Sequence, residues 1–406
     1  MATVLKDLLL DSKDGEWGGG EPTDDSVEML AIRGTDFDEV RLGSVAGVPL
    51  RYIPSRIAVR KTLQPLDIVF ETAGGSKDRP TGRSVLLKEG LFQKAGSPLT
   101  CASFARFLRI DPRKAEPEYV FWLLQYMYNA GILKQYHTQH TGVARYQYTA
   151  FAENQLLNLP SRDKQCRIAS LLSAYDDLIG NNTRRIAILE EIARRIYEEW
   201  FVRFRFPGHE SVRMVESEIG LAPEGWRAVP ITSVGAFKYG KGLPTKQLVD
   251  GGAFPVYGAS KIIGYYNEYT RPERTLIVGC RGTVGVPLIT LPQCFVTNNS
   301  FTADPLHPAG LLWLYLTVRC RGLKDVVGGA AQPQITLNSL SGAIVLNPPA
   351  RTIDQFDAVV RPIFELAWIL GDKNRNLRIT RDLLLPKLIS GELDVSELPT
   401  PKAIAA

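Results

Sequence analysis

Two runs of heptad-spaced apolar residues, one near the middle of the 406-residue chain and one near its end, constrain the fold more than any other feature. In the first, Ile168, Leu172, Tyr175, Ile179, Ile186, Leu189, Ala193, Ile196 and Trp200 recur in alternating steps of four and three, with Asn182 polar on the seam. Charged residues fill the other faces, so the seam needs a partner helix. A shift of 188 residues lands on Phe356, Val360, Ile363, Ala367, Leu370, Asn374, Leu377, Arg381, Leu384 and Leu388, eight of the ten apolar. The lead-ins match as well, Asn158-Leu-Pro-Ser-Arg162 against Asn347-Pro-Pro-Ala-Arg351. The partner helix is therefore in the same chain, which carries two copies of one unit, a globular stretch followed by a long helix. Asn182 either sets the register of the seam or sits in a break beside Gly180, where Gly180-Asn181 would bend the helix.

Composition is that of a globular protein, 45% hydrophobic and 22% charged, long enough for two or three cores. Leu311 to Val318 is too short to cross a bilayer, and the N-terminus lacks the order of a signal peptide, so we expect a cytoplasmic chain with no membrane partner. Cys101, Cys166, Cys280, Cys294 and Cys320 are scattered, as suits reduced, inert thiols. His137 and His140 would offer a metal only two ligands, and no metal site is expected.

Net charge is +5, but its distribution says more. Residues 1–40 hold 11 acidic and 3 basic side chains; residues 41–155 hold 16 basic and 8 acidic, and residues 230–345 hold 10 basic and 5 acidic. Both globular stretches therefore attract a phosphate backbone, an ordinary solvated surface being the plain alternative.

The two copies correspond in their globular parts. Met29-Leu-Ala-Ile-Arg-Gly-Thr-Asp-Phe37 has the shape of Phe254-Pro-Val-Tyr-Gly-Ala-Ser260. Leu66-Asp-Ile-Val-Phe70 reads as a buried strand running into Ala73-Gly-Gly-Ser-Lys77, as Thr275-Leu-Ile-Val-Gly279 runs into Cys280-Arg-Gly-Thr-Val-Gly285. A strand ending in a glycine-rich basic loop brings N–H groups and an arginine to one edge, which suits an anion or a base edge; the same glycines also suit a tight turn. Apolar helices follow at 118–129 and 310–319, their aromatics expected in the core. After each comes a polar loop, Thr141-Gly-Val-Ala-Arg-Tyr-Gln147 and Gly328-Gly-Ala-Ala-Gln-Pro-Gln334, and glutamine and arginine can read base edges bidentately. The candidate nucleic-acid contacts are Lys77, Arg83, Arg145 and Gln147 in the first stretch and Lys261, Arg281, Thr283, Gln332 and Gln334 in the second. The acidic glycine loop through Trp17-Gly-Gly-Gly20 has no evident counterpart in the second copy.

With the copies laid out, the chain resembles the specificity subunit of type I restriction-modification systems over nearly its full length. The resemblance rests on PEGW at 223–226, FPVYGASKIIGY at 254–265, CRGTVG at 280–285, QPQIT at 332–336 and the helical segments 175–201 and 377–393. It implies an α+β fold with two pseudo-repeated target-recognition domains, at 1–155 and 211–346, separated by spacer helices at 156–210 and 347–395 packed as an antiparallel coiled coil, and a tail at 396–406. It also implies a non-catalytic subunit that reads a bipartite sequence in double-stranded DNA and recruits two methyltransferase subunits and two restriction (motor-nuclease) subunits. S-adenosylmethionine would sit on the methyltransferase, ATP and Mg on the restriction subunit, and no cofactor on this chain. A helix from Ser161 to Arg203 would be about 65 Å long at ~1.5 Å per residue, enough to hold two readers roughly a DNA turn or more apart. The pseudo-two-fold axis of such a chain would let two identical partners bind it.

Two other readings stand beside it. Asn347-Pro-Pro-Ala350 resembles the motif with which a DNA adenine methyltransferase holds its target base, but alanine replaces the stacking aromatic. Lys241-Gly-Leu-Pro244 runs into proline rather than a helix, so no cofactor turn is evident, and no Walker lysine motif occurs. A coiled-coil scaffold that does not bind DNA would explain the heptads but not the paired basic loops.

Overall fold

A computed structural model describes residues 2–75, 79–139, 144–329 and 332–397. The chain forms two compact units, one of residues up to Arg185 together with those from Leu370 onward, the other of Ile186–Ile369. Each unit therefore contains one globular stretch and a length of both long helices.

In the first unit a four-stranded antiparallel sheet is built from β1 (Leu9–Asp14), β4 (Ile68–Glu71), β5 (Ser84–Leu86) and β7 (Ala105–Ile110), in the order β1-β7-β4-β5. A three-stranded sheet is built from β2 (Ser26–Ile32), β3 (Leu50–Pro54) and β6 (Leu99–Cys101), with β2 antiparallel to β3 and parallel to β6. Side chains alternate across a strand, and here both faces are apolar. Ile68 and Phe70 of β4 enter one core and Val69 the other; Leu86 and Val85 divide in the same way on β5, Leu108 and Phe107 on β7. One core takes in helix α1 (Pro117–Asn129), in which Tyr119, Phe121 and Trp122 are buried as the sequence suggested; proline begins the helix where its missing N–H costs nothing.

The second unit repeats this topology strand for strand. β8 (Gly235–Tyr239), β11 (Leu276–Gly279), β12 (Pro287–Ile289) and β14 (Ser300–Pro305) form the sheet β8-β14-β11-β12. β9 (Phe254–Tyr257) is antiparallel to β10 (Ile262–Tyr266) and parallel to β13 (Phe295–Val296). Leu276 and Val278 face one core and Ile277 the other. Helix α3 (Leu311–Arg321) buries every side chain from Leu312 to Val318. Strands pair in matching register, Ile68 with Leu108 and Leu276 with Ala303, so residues correspond one to one.

That correspondence reaches the glycine just before the acidic loop: Gly15 has a counterpart, Gly240. The Gly15 N–H donates to the Ala105 carbonyl at 2.8 Å and the Glu16 N–H to that of Cys101; the Gly240 N–H donates to Ser300 at 3.0 Å and the Lys241 N–H to Val296. Both glycines are required by close approach. A Cβ would lie 2.1 Å from the Cys101 oxygen in one unit and 2.3 Å from the Thr297 oxygen in the other.

The long helices are α2 (Arg162–Tyr197) and α4 (Ala350–Ser390), running on from short strands that pair Leu156–Asn158 with Ala2–Val4 and Ile344–Asn347 with Arg227–Pro230. α2 is continuous through Gly180, so the bend considered at Gly180-Asn181 does not interrupt it. Leu42 packs beside Gly180, where a Cβ would stand 3.5 Å from the Leu42 oxygen, an ordinary contact distance that does not require glycine. After Tyr197 the helix widens into a π turn over Glu198–Val202 rather than continuing as α-helix to Arg203.

In the first unit the helices pack antiparallel. Asp176 is bonded by Arg381 and Asn182 by Asn374, while Ile168, Leu172, Leu385 and Leu388 share one core. Asn182 thus occupies a paired position on the seam. Seam residues Ile179 and Leu388 are buried, whereas Ile186, Leu189, Leu377 and Leu384 are half-buried. In the second unit Ala193, Tyr197 and Phe201 pack with Ile353, Phe356, Val360 and Phe364, and Ile196, Trp200 and Ile363 lie against them. Phe201 and Phe356 meet edge to face, ring centres 4.8 Å apart.

Candidate nucleic-acid interface

Both central strands, β4 and β11, run on past their sheets into the glycine loops, and there each meets the polar loop that follows the apolar helix. Ala73 pairs with Arg145 in the first unit; Arg281 pairs with Gln334 in the second. The hydrogen bonds that fix these edges are the same. The N–H groups of Thr72 and Ala73 both donate to the Phe104 carbonyl, at 2.9 and 3.2 Å, and those of Cys280 and Arg281 both donate to the Asn299 carbonyl, at 2.9 and 3.2 Å. Two sequences with little identity thus build one backbone frame.

Each frame opens on a groove. In the first unit a cavity of about 690 Å³ is lined by Trp17, Arg33, Gly34, Thr35, Arg79 and Phe104 among others. In the second a smaller cavity of about 240 Å³ is lined by Ser260, Lys261, Arg281, Gly282, Thr283 and Asn299 among others. By register Thr35 corresponds to Ser260, Gly74 to Gly282 and Phe104 to Asn299, so the grooves occupy equivalent places.

Three of the residues singled out from the sequence, Lys261, Arg281 and Thr283, come together in the second groove, all exposed. Gln332 and Gln334 are exposed on the adjoining loop, where Gln334 exchanges backbone hydrogen bonds with Gly328. Of the two purposes weighed for the glycine loop, the tight turn is the one seen. Gly282 and Gly285 adopt positive φ to close a tight turn, and a Cβ on Gly279 would lie 2.1 Å from the Thr283 oxygen. That turn is what presents Arg281 and Thr283 outward.

The first unit is less uniform. Arg145 and Gln147 are exposed beside the groove, the Arg145 carbonyl accepting from Thr138. Arg83 lines the groove but is turned inward: its guanidinium pairs with buried Glu71 at 2.6 Å and donates to the Gly34 carbonyl at 2.7 Å, with 14% of its side chain exposed. Lys77 lies outside the described residues. Arg33 is held by Asp36 at 2.8 Å, and that hydrogen bond raises its already high pKa. Trp17 is half exposed, its ring covered on one side by the Arg51 guanidinium at 4.5 Å, while Phe104 is 57% exposed in the groove.

Phe104, Trp17, Arg33, Arg79 and Asn299 were not among the residues expected to form a site. Setting Ala102-Ser-Phe104 against Thr297-Asn-Asn299 is the signal that finds two of them. Among the described residues no group of three or more His, Cys, Asp or Glu side chains could hold a metal, and no helix is long and apolar enough to cross a membrane.

Comparison with known proteins agrees with this architecture. Residues 223–358 match the family model described as the type I restriction modification DNA specificity domain. The type I restriction enzyme MjaIX specificity subunit of Methanocaldococcus jannaschii is 25% identical over 264 residues, 59% of this chain and 61% of that protein. This chain thus matches about three-fifths of that relative's length. The HindI specificity subunit of Haemophilus influenzae is 23% identical over 71% of this chain and 80% of its own length. The crystal structure of a type I system S subunit from M. genitalium shares the fold, with a TM-score of 0.56 at 16% identity, covering 96% of this chain and 95% of that one. A twice-built α+β unit carried on two long helices is the architecture this chain shares with that S subunit. Residues 223–358 thus carry a type I restriction modification DNA specificity domain, and the chain is similar over most of its length to specificity subunits of type I restriction enzymes.

Proposed function

We propose that this chain is the sequence-reading, non-catalytic subunit of a type I restriction-modification complex, and that each groove reads one half of a bipartite target in double-stranded DNA. The observation that supports this most is the placement of two differently lined grooves on one repeated backbone frame. A repeated frame presents side chains to a duplex in the same way twice, and a changed lining changes the bases accepted. Arg281, Lys261 and Thr283 are the contacts proposed in the second reader, with Gln332 and Gln334 beside them; Arg145, Gln147 and Lys77 are those proposed in the first.

The chemistry comes from partners in this reading. Two methyltransferase subunits, which bind S-adenosylmethionine, dock on the chain, and two restriction subunits, which use ATP and Mg, complete the assembly in the cytoplasm; the chain itself binds no cofactor. The relatives described above are specificity subunits, and nothing in them favours a self-contained methyltransferase. Mapping methylated adenines in genomes with and without this chain tests the proposal: a split motif that disappears on deletion supports it, and an unchanged methylation pattern overturns it. Binding of the complex to its target should also fall steeply with rising salt, a flat response favouring a scaffold that does not touch DNA.

A further inference from the structure

The equivalence of Phe104 and Asn299 carries a step beyond the assignment of two readers, and it rests on that assignment. Each residue follows the third strand of its smaller sheet, each gives its carbonyl to the same pair of backbone N–H groups, and each side chain lines its groove. One is an exposed apolar ring; the other is a carboxamide. The surroundings follow suit. Around Phe104 the groove is lined by Trp17, Ala73 and Gly74, with exposed Arg79 also on it, and the guanidiniums of Arg33 and Arg83 are already engaged by Asp36 and Glu71. Around Asn299 stand the exposed polar ends of Lys261, Arg281 and Thr283.

We infer that this position determines base choice in both half-sites, by opposite chemistry. Phe104 recognises the 5-methyl group of a thymine by apolar contact, and Asn299 recognises an adenine by donating to N7 and accepting from N6. An apolar side chain suits the thymine methyl and asparagine suits the N6/N7 edge, because these are the groups the two bases place in the major groove. Phe104 is not a core residue, so its replacement leaves the packing of the first unit in place.

The test uses the full chain co-purified with its methyltransferase subunits and duplexes carrying the mapped target. Each thymine is replaced singly by uracil, which lacks the methyl, and each adenine by 7-deazaadenine, which lacks the N7 acceptor. One uracil position in one half-site should weaken binding roughly tenfold, and one 7-deazaadenine position in the other half-site by a similar factor. Phe104→Ala should bind the thymine and uracil duplexes equally, Phe104→Leu should keep part of the preference, and Asn299→Ala should lose only the response to 7-deazaadenine. If the complex selects its target yet no uracil weakens it, or if Phe104→Ala keeps the full uracil response, the inference falls and the two-reader assignment stands. If the complex does not discriminate its target from scrambled DNA, the assignment itself falls.

Discussion

The Asn182 side chain donates to the carboxamide oxygen of Asn374 at 3.0 Å, both residues buried on the seam between the long helices. Asn374 in turn donates to the Ile179 carbonyl at 3.2 Å and to the Thr183 hydroxyl at 3.1 Å. A one-turn slip would bring each amide against apolar side chains, so the pair fixes which residues face each other.

Asn374→Ala should therefore cost about 1–3 kcal/mol, because it strands the buried Asn182 amide. The double replacement Asn182→Leu with Asn374→Leu should recover most of that stability while loosening the register. Urea unfolding of the three variants checks this; a double variant as unstable as the single one would show that the pair does not act as a unit.

Arg83 and Arg281 both line corresponding grooves but do different things. Arg83→Ala leaves the buried Glu71 carboxylate without its partner and should destabilise the first unit by about 3–5 kcal/mol. Arg281→Ala should leave stability nearly unchanged and weaken DNA binding by about 1–3 kcal/mol, relaxing one half-site only. Thermal unfolding and binding to target variants, measured side by side, separate the two; equal loss of affinity on every sequence would make Arg281 a phosphate contact.

Gly15→Ala and Gly240→Ala each place a methyl group within 2.3 Å of a carbonyl oxygen. The backbone must shift, at an expected cost on the order of 1–3 kcal/mol in either unit. Denaturation midpoints of the two variants should fall together; a neutral Gly15→Ala would break the structural equivalence with Gly240.

Asp111 accepts from the guanidinium and then from the backbone N–H of Arg113, and these bonds hold its carboxyl down to about 2. A carboxyl lowered in the folded state stabilises the fold at every pH above its unfolded value of ~3.9, and that contribution is lost as pH falls toward the folded value. Asp111→Asn should remove this part of the acid sensitivity. Melting temperatures recorded between neutral and acid pH, wild type against variant, should converge at the acid end.

Much of the fold is legible in the residues because heptad spacing and β-strand alternation leave direct traces. Ile168 through Leu388 reveal the helices, and the matched strands before Ala73 and Arg281 reveal the duplication. The grooves are less legible because they depend on loops returning from distant sequence. Nothing local distinguishes Arg83, which turns inward to Glu71, from Arg281, which does not. Phe104 reads as one more strand-flanking hydrophobe until its backbone is set beside that of Asn299. The role of Asn182 stayed open because Asn374, 192 residues away, decides it.

The division of the long helices between the units has a consequence for any attempt to split the molecule. The core around Trp122 is completed by Leu385 and Leu388, and the core around Trp226 by Tyr197 and Phe201. Cutting the chain near Gly208 would leave each half carrying a strip that belongs inside the other. The nicked halves should stay interlocked until denatured, and either half expressed alone should depend on its missing complement to become soluble.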